Sequence, residues 1–349
     1  DNVSILMMED DSDIYTLRDE LFFLAIYYKE IGYREKAHTY IRKLLGSSLY
    51  ELQNDKVYLQ AEADIFYEER KLDEAQKVLN KIKGEDSYAL MLSGKISKCK
   101  KEFQDAIEYF ERAYKSSGEK PPADQIGATY REWAREPGLS EQEKSVLKKK
   151  AIEWYIAIRG DYPKDKIIPY GLAKSYLLEP SNKEDIDCGV IILIELLSRD
   201  IDREVVKELL SLWSRNLNDA IKKIILNKDG IPVWRNRHSF LLGEIIKISK
   251  ESNIFAPDIV GTFQKVFAQN QDINVRKAIC KYFMKYVIYK CYQSANLQEI
   301  QDIIKQILKI ILGTEDKEES LRFLTELLGS EKGAYLEYLV EKIHPEIKK

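Results

Sequence analysis

The stretch EFQDAIEYFERA, residues 102–113, decides the fold of this chain. Its apolar and small residues recur every three or four positions, at Phe103, Ala106, Ile107, Phe110 and Ala113. That spacing places them on one face of an α-helix. Charged and amide side chains occupy most of the other positions. The stretch therefore predicts an amphipathic helix that packs against a neighbouring helix.

The same pattern recurs as helical pairs over residues 1–198. In the first pair, a helix with Leu21, Ala25 and Tyr28 precedes a turn at Gly32 and a second helix containing Ala37. Small residues let two antiparallel helices approach closely, and the aromatic side chain fills the space beside them. The corresponding small residues of later pairs are Ala63, Gly94, Gly127 and Ala173.

These pairs resemble tetratricopeptide repeats, a family defined by such packing positions. The resemblance implies an all-α, right-handed helical-repeat solenoid whose first helices line a concave groove. It also implies a function in binding protein or peptide partners. We expect about five repeats, which form a first domain over residues 1–198.

A different pattern follows over residues 199–349. Helical segments end before Asp229, Asp272 and Asp316, which are 43 and 44 residues apart, and a further helix follows each Asp. This arrangement resembles HEAT repeats, in which the Asp can cap the second helix. We expect a second domain of HEAT-like repeats with a C-terminal cap. The segment Arg203–Arg215 matches neither family and is the expected join.

Composition narrows the function only slightly. Of the 349 residues, 32% are charged, yet the formal net charge is only −3, so the overall charge favours neither nucleic acid nor an anionic membrane. No apolar run reaches the roughly 18 to 20 residues that span a bilayer. The four cysteines form no CxxC pair. We expect a soluble, cytoplasmic protein with reduced thiols.

Signatures of catalysis are absent from the sequence. There is no phosphate-binding loop, no GxSxG and no HExxH, and His38, His238 and His344 lack the spacing of metal ligands. His38, within a predicted second helix, is expected to have a structural or surface role. We expect no enzyme activity, no cofactor and no metal.

The tetratricopeptide resemblance implies which residues face the groove. Eleven are candidates for partner binding: Phe22, Ile26, Lys29, Gln60, Asp64, Tyr67, Met91, Lys95, Lys98, Arg131 and Lys174. The groove begins apolar and ends basic, so a partner with hydrophobic and acidic residues would fit it. In the alternative interpretation, the apolar residues pack between repeats and the lysines are only solvated.

A basic segment suggests a second candidate surface. Residues 221–300 contain 13 Lys and Arg against 6 Asp and Glu. The candidates for nucleic-acid binding are Arg235, Arg237, Arg276, Lys277, Lys281 and Lys285. Tyrosines at 282, 286 and 289 accompany this row, and basic rows with aromatics can follow a phosphate backbone. Alternatively, the lysines form the solvated face of an amphipathic helix and the tyrosines belong to its core.

Three functional hypotheses remain open from the sequence. The first is a protein-interaction module, either a scaffold or the sensor arm of a larger machine. The second is a nucleic-acid binder that uses the basic row, and the third is a peptide-signal receptor of the tetratricopeptide type. Salt dependence distinguishes the first two, because phosphate binding weakens steeply with ionic strength.

Overall fold

The computed structural model describes residues 11–45, 55–179, 182–226, 238–269 and 272–292. Every regular element within these ranges is an α-helix, and there are fifteen helices. None of these helices is long and apolar enough to cross a membrane. The predicted fold class, an all-α helical-repeat array, is confirmed for this part of the chain.

The chain divides into two compact units, Asp1–Pro180 and Ser181–Lys349. The first unit has nine helices among its described residues: α1 Asp11–Glu30, α2 Arg34–Leu45, α3 Lys56–Glu68, α4 Leu72–Leu79, α5 Ser87–Cys99, α6 Phe103–Ser117, α7 Lys120–Trp133, α8 Glu141–Arg159 and α9 Ile167–Tyr176. The first eight form four consecutive hairpins. Four of the about five repeats expected from the tetratricopeptide resemblance are therefore present as hairpins in this unit. The fifth expected repeat would extend past Pro180 and stays a prediction. The domain boundary at residue 198 stays a prediction.

Polar side chains fix where several helices begin. Asp55 accepts a hydrogen bond from the backbone N–H of Val57 at 2.8 Å, at the start of α3. Asp86 accepts one from Ala89 at 2.8 Å and begins α5. Ser140 begins α8 and forms a reciprocal pair of bonds with the third residue of the helix. Each bond satisfies an N–H group that has no partner inside its helix.

Glycines allow the two helices of a hairpin to approach closely. A Cβ atom added to Gly94 of α5 would lie 2.5 Å from Cε1 of Phe110, which α6 contributes. At Gly127 of α7, an added Cβ would lie 2.4 Å from the ring of Tyr155 on α8. Both distances are far below van der Waals contact. The packing role expected for small residues at these two positions is confirmed.

Successive hairpins of the first unit join through a repeated set of positions. Tyr58, Ala61 and Ile65 of α3 are buried in one cluster with residues of α1 and α2. Ala89, Leu92 and Ile96 of α5 are buried in another cluster with residues of α3 and α4. Both trios have spacings of three and four residues, and 31 residues separate them. We call these the junction positions.

The second unit has six helices among its described residues: α10 Lys183–Arg199, α11 Arg203–Ser214, α12 Ala220–Ile225, α13 His238–Glu251, α14 Pro257–Gln269 and α15 Ile273–Tyr292. α15 packs along α13 and also contacts α14. Asp272 accepts hydrogen bonds from Asn274 at 2.9 Å and Val275 at 3.4 Å, which confirms its capping role. Asp229 and Asp316 lie outside the described residues, and the HEAT-like assignment stays a prediction.

Candidate binding face

The first helices of the hairpins, α1, α3, α5 and α7, together with α9, carry all eleven candidate groove residues. We call the surface that these residues form the first-helix face. Neighbouring first helices are joined on this face by hydrogen bonds between side chains or from a side chain to the backbone. Several of the predicted partner-binding residues therefore already have a partner within the chain, and one pair of them, Lys29 and Asp64, bind each other.

At the start of the face, Lys29 links α1 to α3. Its Nζ atom lies 2.9 Å from Asp64 and 3.5 Å from Glu68. Burial disfavours the lysine charge, but the bonds to Asp64 and Glu68 outweigh it and raise the pKa of Lys29. Asp64 is also bonded to Tyr88, and burial together with that bond raises the pKa of the Tyr88 hydroxyl. Lys29 and Asp64 thus form a neutralised bridge between two hairpins.

Gln60 and Tyr67 link α3 to the next hairpin. Gln60 donates to Asp86 at 2.8 Å, and Lys56 pairs with the same carboxylate. Asp86 is partly desolvated, but the bonds from Lys56, Ala89 and Gln60 lower its pKa overall. One residue before the end of α3, the Tyr67 hydroxyl lies 3.7 Å from Sγ of Cys99. Burial and this thiol raise the pKa of Tyr67 to about 12.

Lys98 links α5 to α7. Its Nζ atom donates to Gln125 at 3.1 Å and to Glu132 at 3.2 Å. The Lys98 side chain is 19% exposed, so its charge is partly shielded as well as paired. Gln125 and Glu132 are members of the face that sequence reasoning missed, because neither residue carries a periodic or motif signal.

Arg131 is the centre of the contact between α7, α8 and α9. Its guanidinium donates to the Gly171 carbonyl at 3.4 Å and to the Tyr155 hydroxyl at 3.3 Å, and lies 5.5 Å from the Tyr155 ring centroid. The buried Nε atom has no hydrogen-bond partner in the structure. Tyr155 in turn donates to the Asp124 carboxylate at 2.9 Å. Among the described residues, no carboxylate lies within ion-pair distance of Arg131.

Asp124 is a second member of this cluster that sequence reasoning missed. Burial raises the pKa of its carboxyl, although Tyr155, Arg131 and Lys98 act in the opposite direction. A desolvated carboxyl of this kind is costly to ionise. The cluster therefore combines a cation that has no ion-pair partner among the described residues with a carboxyl whose pKa is raised by burial.

Two lysines of the face remain without a carboxylate partner in the described part of the chain. Lys95 is half-buried and has no hydrogen bond or ion pair. Lys174 lies 5.3 Å from the Tyr170 ring centroid and likewise has no acidic partner. The three apolar candidates lie on α1 and α5. Phe22 contacts Tyr58, with ring centroids 5.2 Å apart, and Ile26 and Met91 are half-buried against hairpin cores.

Four of the six basic candidates of the second unit lie on one helix, α15, as predicted: Arg276, Lys277, Lys281 and Lys285. Lys285 donates to the Lys250 carbonyl at 2.9 Å, and Arg276 lies 5.0 Å from the Phe267 ring centroid. Lys281 is exposed. Arg235 and Arg237 lie outside the described residues.

The tyrosines beside this row belong mainly to the core. Tyr282 has no exposed surface and donates to the Ile254 carbonyl at 2.8 Å, while Tyr286 is 7% exposed. Their rings therefore cannot stack on bases in this conformation. Tyr289 is 37% exposed, with its ring 5.0 Å from that of Phe255. The core interpretation is confirmed for Tyr282 and Tyr286.

His38 has a structural role, and the three described cysteines are free thiols. His38 is buried, and its Nε2 atom lies 3.0 Å from the Glu69 carboxylate. Cys99 and Cys188 are exposed free thiols, whereas Cys280 is buried and burial raises its pKa to about 12. No group of three His, Cys, Asp or Glu residues in the described ranges could hold a metal ion.

No known protein family and no curated protein matches the sequence. A tetratricopeptide repeat protein from Parabacteroides merdae is 12% identical, with a TM-score of 0.44 over 88% of this chain and 98% of that one. The apo quorum sensor NprR from B. thuringiensis is 12% identical, with a TM-score of 0.34 over 95% of this chain and 99% of that one. The structure of Naa15/Naa10 bound to HypK-THB is 12% identical, with a TM-score of 0.28 over 94% of this chain and 64% of that one. At these scores the similarities carry no argument about function.

Proposed function

We propose that the protein is a non-catalytic interaction module that binds a protein or peptide segment along the first-helix face. The observation that supports this most directly is the distribution of unpaired groups on the face. Half-buried apolar side chains lie on α1 and α5, while two half-buried lysines without a carboxylate partner among the described residues, Lys95 and Lys174, lie on α5 and α9.

The paired groups of the face support a rigid binding surface. The bonds of Lys29, Gln60, Lys98 and Arg131 connect each first helix to the next. A surface that is already ordered loses little conformational entropy when a partner binds. These bridges therefore act in positioning, whereas recognition falls to the residues that have no internal partner.

The unpaired cations define the chemistry of the partner. Lys95 and Lys174 would attract acidic groups, and their partial burial strengthens the interaction relative to fully solvated lysines. Phe22, Ile26 and Met91 would contact an apolar anchor at the other end of the segment. The preferred partner is thus a segment that carries hydrophobic and acidic residues. Both a scaffold and a sensor arm would use such a surface, as would a peptide-signal receptor.

The experiment is capture of partners from native lysate on the immobilised chain, with and without nuclease, at low and high salt. We expect a discrete protein that resists nuclease. The double variant Lys95→Glu, Lys174→Glu should reduce its capture by about tenfold or more. Lys149→Glu is the matched control, because Lys149 lies on a second helix and is 77% exposed.

Nucleic acid remains the competing partner, and the same experiment tests it. Recovery of only nuclease-sensitive material that salt removes, and that Lys281→Glu abolishes, would establish the basic row of α15 as the functional surface. Capture that is identical for the first-helix variant and the Lys149→Glu control would also contradict the proposal.

A further inference from the structure

A register shared by the first helices adds Asp124 to the first-helix face. Candidate groove residues lie three places before the small residue in three hairpins: Phe22 before Ala25, Gln60 before Ala63 and Met91 before Gly94. On α7 the small residue is Gly127, so the same position is Asp124. The face therefore carries an acidic side chain on α7, at a position that is apolar or amide-bearing in the three preceding hairpins.

A second position of this register holds a lysine on either side of α7. Lys95 of α5 and Lys174 of α9 each directly follow the small residue of their helix. α7 is hydrogen-bonded to both of these helices. Its own residue at this position is Ala128, whose short side chain leaves room above the helix. An acidic segment that binds both lysines would therefore cross α7 at Ala128.

Asp124 lies one helical turn from this crossing. Residues four apart on a helix are neighbours, with about 5–6 Å between their Cβ atoms, so Asp124 and Ala128 share one side of α7. An acidic group at the crossing would approach the Asp124 carboxylate. Like charges repel each other strongly where water is partly excluded, and the repulsion ends when one of the two acids takes up a proton.

Other charged groups near Asp124 are already paired. From α5, Lys98 lies 3.2 Å from Glu132. Just before α9, Asp165 adds a negative charge, and Lys120 lies 2.7 Å from it. Neither pair supplies a net positive charge that would offset a second acid beside Asp124.

Tyr155 of α8 links Asp124 to Arg131. Its hydroxyl donates to Asp124 at 2.9 Å and accepts from Arg131 at 3.3 Å. α6 packs against this part of α7 through apolar side chains, those of Ala106, Ile107 and Phe110. Arg131 has no ion-pair partner among the described residues, so it is the cation that offsets Asp124, and a bound acid would compete for it.

We propose that the first-helix face takes up a proton at Asp124 when an acidic segment binds across α7. The bound acid adds a negative charge beside Asp124 and competes for Arg131, and both effects favour the neutral carboxyl. Burial already raises the pKa of Asp124 in the free protein, although Tyr155, Arg131 and Lys98 act in the opposite direction. This proton uptake rests on the proposed function, because it requires a partner on the same face.

The sign of the pH dependence follows from the proton count. The complex holds more protons than the free protein, so affinity rises as the pH falls, by at most about tenfold per pH unit for one proton. The gain ends where Asp124 is protonated in the free protein as well. Asp124→Asn mimics the neutral carboxyl, so its affinity should stay near the low-pH value of the wild type.

Isothermal titration calorimetry of the full chain measures the uptake. The probe is a synthetic peptide of leucine, phenylalanine and glutamate with both ends capped, titrated between pH 6 and pH 8 in buffers of different ionisation enthalpy. The wild type should take up a fraction of a proton, and Asp124→Asn measurably less. Asp105→Asn, at an exposed site on α6, is the matched control and should behave as the wild type.

Carbon-13 NMR of the side-chain carboxyl groups gives a second readout. The Asp124 resonance, identified by its loss in Asp124→Asn, should move towards the protonated position when the peptide is added at constant pH. A resonance that does not move, or equal proton uptake by Asp124→Asn and the wild type, would overturn the proton uptake and leave the proposed function intact.

The double variant Lys95→Glu, Lys174→Glu separates that result from a failure of the proposed function. It should bind the peptide at least about tenfold more weakly than the wild type at every pH. Peptide binding that this variant does not weaken, or no binding to the wild type between pH 6 and pH 8, would contradict the acidic partner itself and the proton uptake with it.

Discussion

Tyr155 shows how one side chain can join three helices. Its ring lies against Gly127 and Gly171, where added Cβ atoms would approach to 2.4 and 2.5 Å. Its hydroxyl donates to Asp124 at 2.9 Å and accepts from Arg131 at 3.3 Å. The position has both a tight steric requirement and a polar one, and each requirement predicts the effect of a different substitution.

The steric requirement predicts that Gly127→Ala destabilises the first unit. The added methyl group would overlap the Tyr155 ring, which is fully buried and has little room to move. Overpacking of this kind lowers the free energy of unfolding by about 1–3 kcal/mol. Urea unfolding followed by circular dichroism would measure it.

The control is Gly160→Ala, since an added Cβ at Gly160 meets nothing within 4 Å and its φ angle is −65°. It should be neutral or slightly stabilising, because alanine restricts the unfolded chain. Equal stability of the Gly127→Ala variant and the wild type would show that the Tyr155 ring can move aside.

The polar requirement predicts a pH effect at Asp124. Its pKa is raised in the folded state by burial, so the unfolded chain binds fewer protons than the folded chain above the ordinary pKa of Asp, which is about 3.9. The Asp124 contribution to stability is therefore greatest at low pH and is lost as the pH rises through the folded-state pKa. Asp124→Asn retains an acceptor for Tyr155 and removes this loss.

Unfolding of the Asp124→Asn variant and the wild type, measured from pH 4 to pH 8, tests this prediction. The variant should gain stability relative to the wild type as the pH rises. Asp105→Asn is a control, because Asp105 is exposed on α6. Parallel curves for Asp124→Asn and the wild type would contradict the raised pKa.

At the scale of the helix, Asp86 has two functions, whereas Asp55 has only one of them. Both residues cap a first helix, but Asp86 also accepts from Gln60 of the preceding hairpin at 2.8 Å. Loss of a cap costs about 1 kcal/mol, and loss of the additional hydrogen bond costs about 1 kcal/mol more. Asp86→Ala should therefore lower the free energy of unfolding by roughly twice as much as Asp55→Ala.

The Asp86 effect should also depend on pH. Bonds from Lys56, Ala89 and Gln60 hold its pKa below the ordinary value despite partial burial. Its contribution is present above about pH 4 and is lost as the pH falls through the lower, folded-state pKa. Urea unfolding at neutral and acidic pH measures both effects. A loss no larger than that of Asp55→Ala would mean that Gln60 adds nothing to the junction.

Helix pairs were predictable from sequence for a physical reason. Residues such as Ala25, Gly94 and Phe110 recur at helical spacing because the close crossing of two helices restricts their size. The pairing of Lys98 with Glu132 was not predictable. It depends on the angle and offset between α5 and α7, and charged surface residues have no comparable restriction. The sequence therefore indicated the face but not which of its cations already had partners.

The same limit applies to the basic row on α15. Its spacing predicted one helical face, and the structure confirms a single helix. Which side of that helix Tyr282 occupies depends on packing against Phe255 and Phe263, 5.3 and 4.8 Å away between ring centroids. Alternating lysine and tyrosine residues suit both a core helix and a stacking surface, so periodicity alone left both interpretations open.

At the scale of the first unit, each hairpin is stabilised by the ones before and after it. Buried clusters join α1 and α2 to α3, and α3 and α4 to α5. Such arrays behave approximately as a row of units coupled to their nearest neighbours. Damage to a central hairpin should therefore spread in both directions, whereas damage to a terminal hairpin should spread in one.

Phe110→Ala tests this coupling from the centre of the unit. Phe110 is fully buried in α6, and its truncation should cost about 3–5 kcal/mol. Hydrogen exchange followed by mass spectrometry should show faster exchange in α5 and α6 and also in the flanking hairpins α3–α4 and α7–α8. Ile41→Ala, at a fully buried site in α2, should instead accelerate exchange in the first hairpin and α3–α4, with less effect on α7–α8. If the Phe110→Ala effect stayed within α5 and α6, the hairpins would be independent, and the bridges of Lys98 and Gln60 would contribute little to the rigidity that the proposed binding face requires.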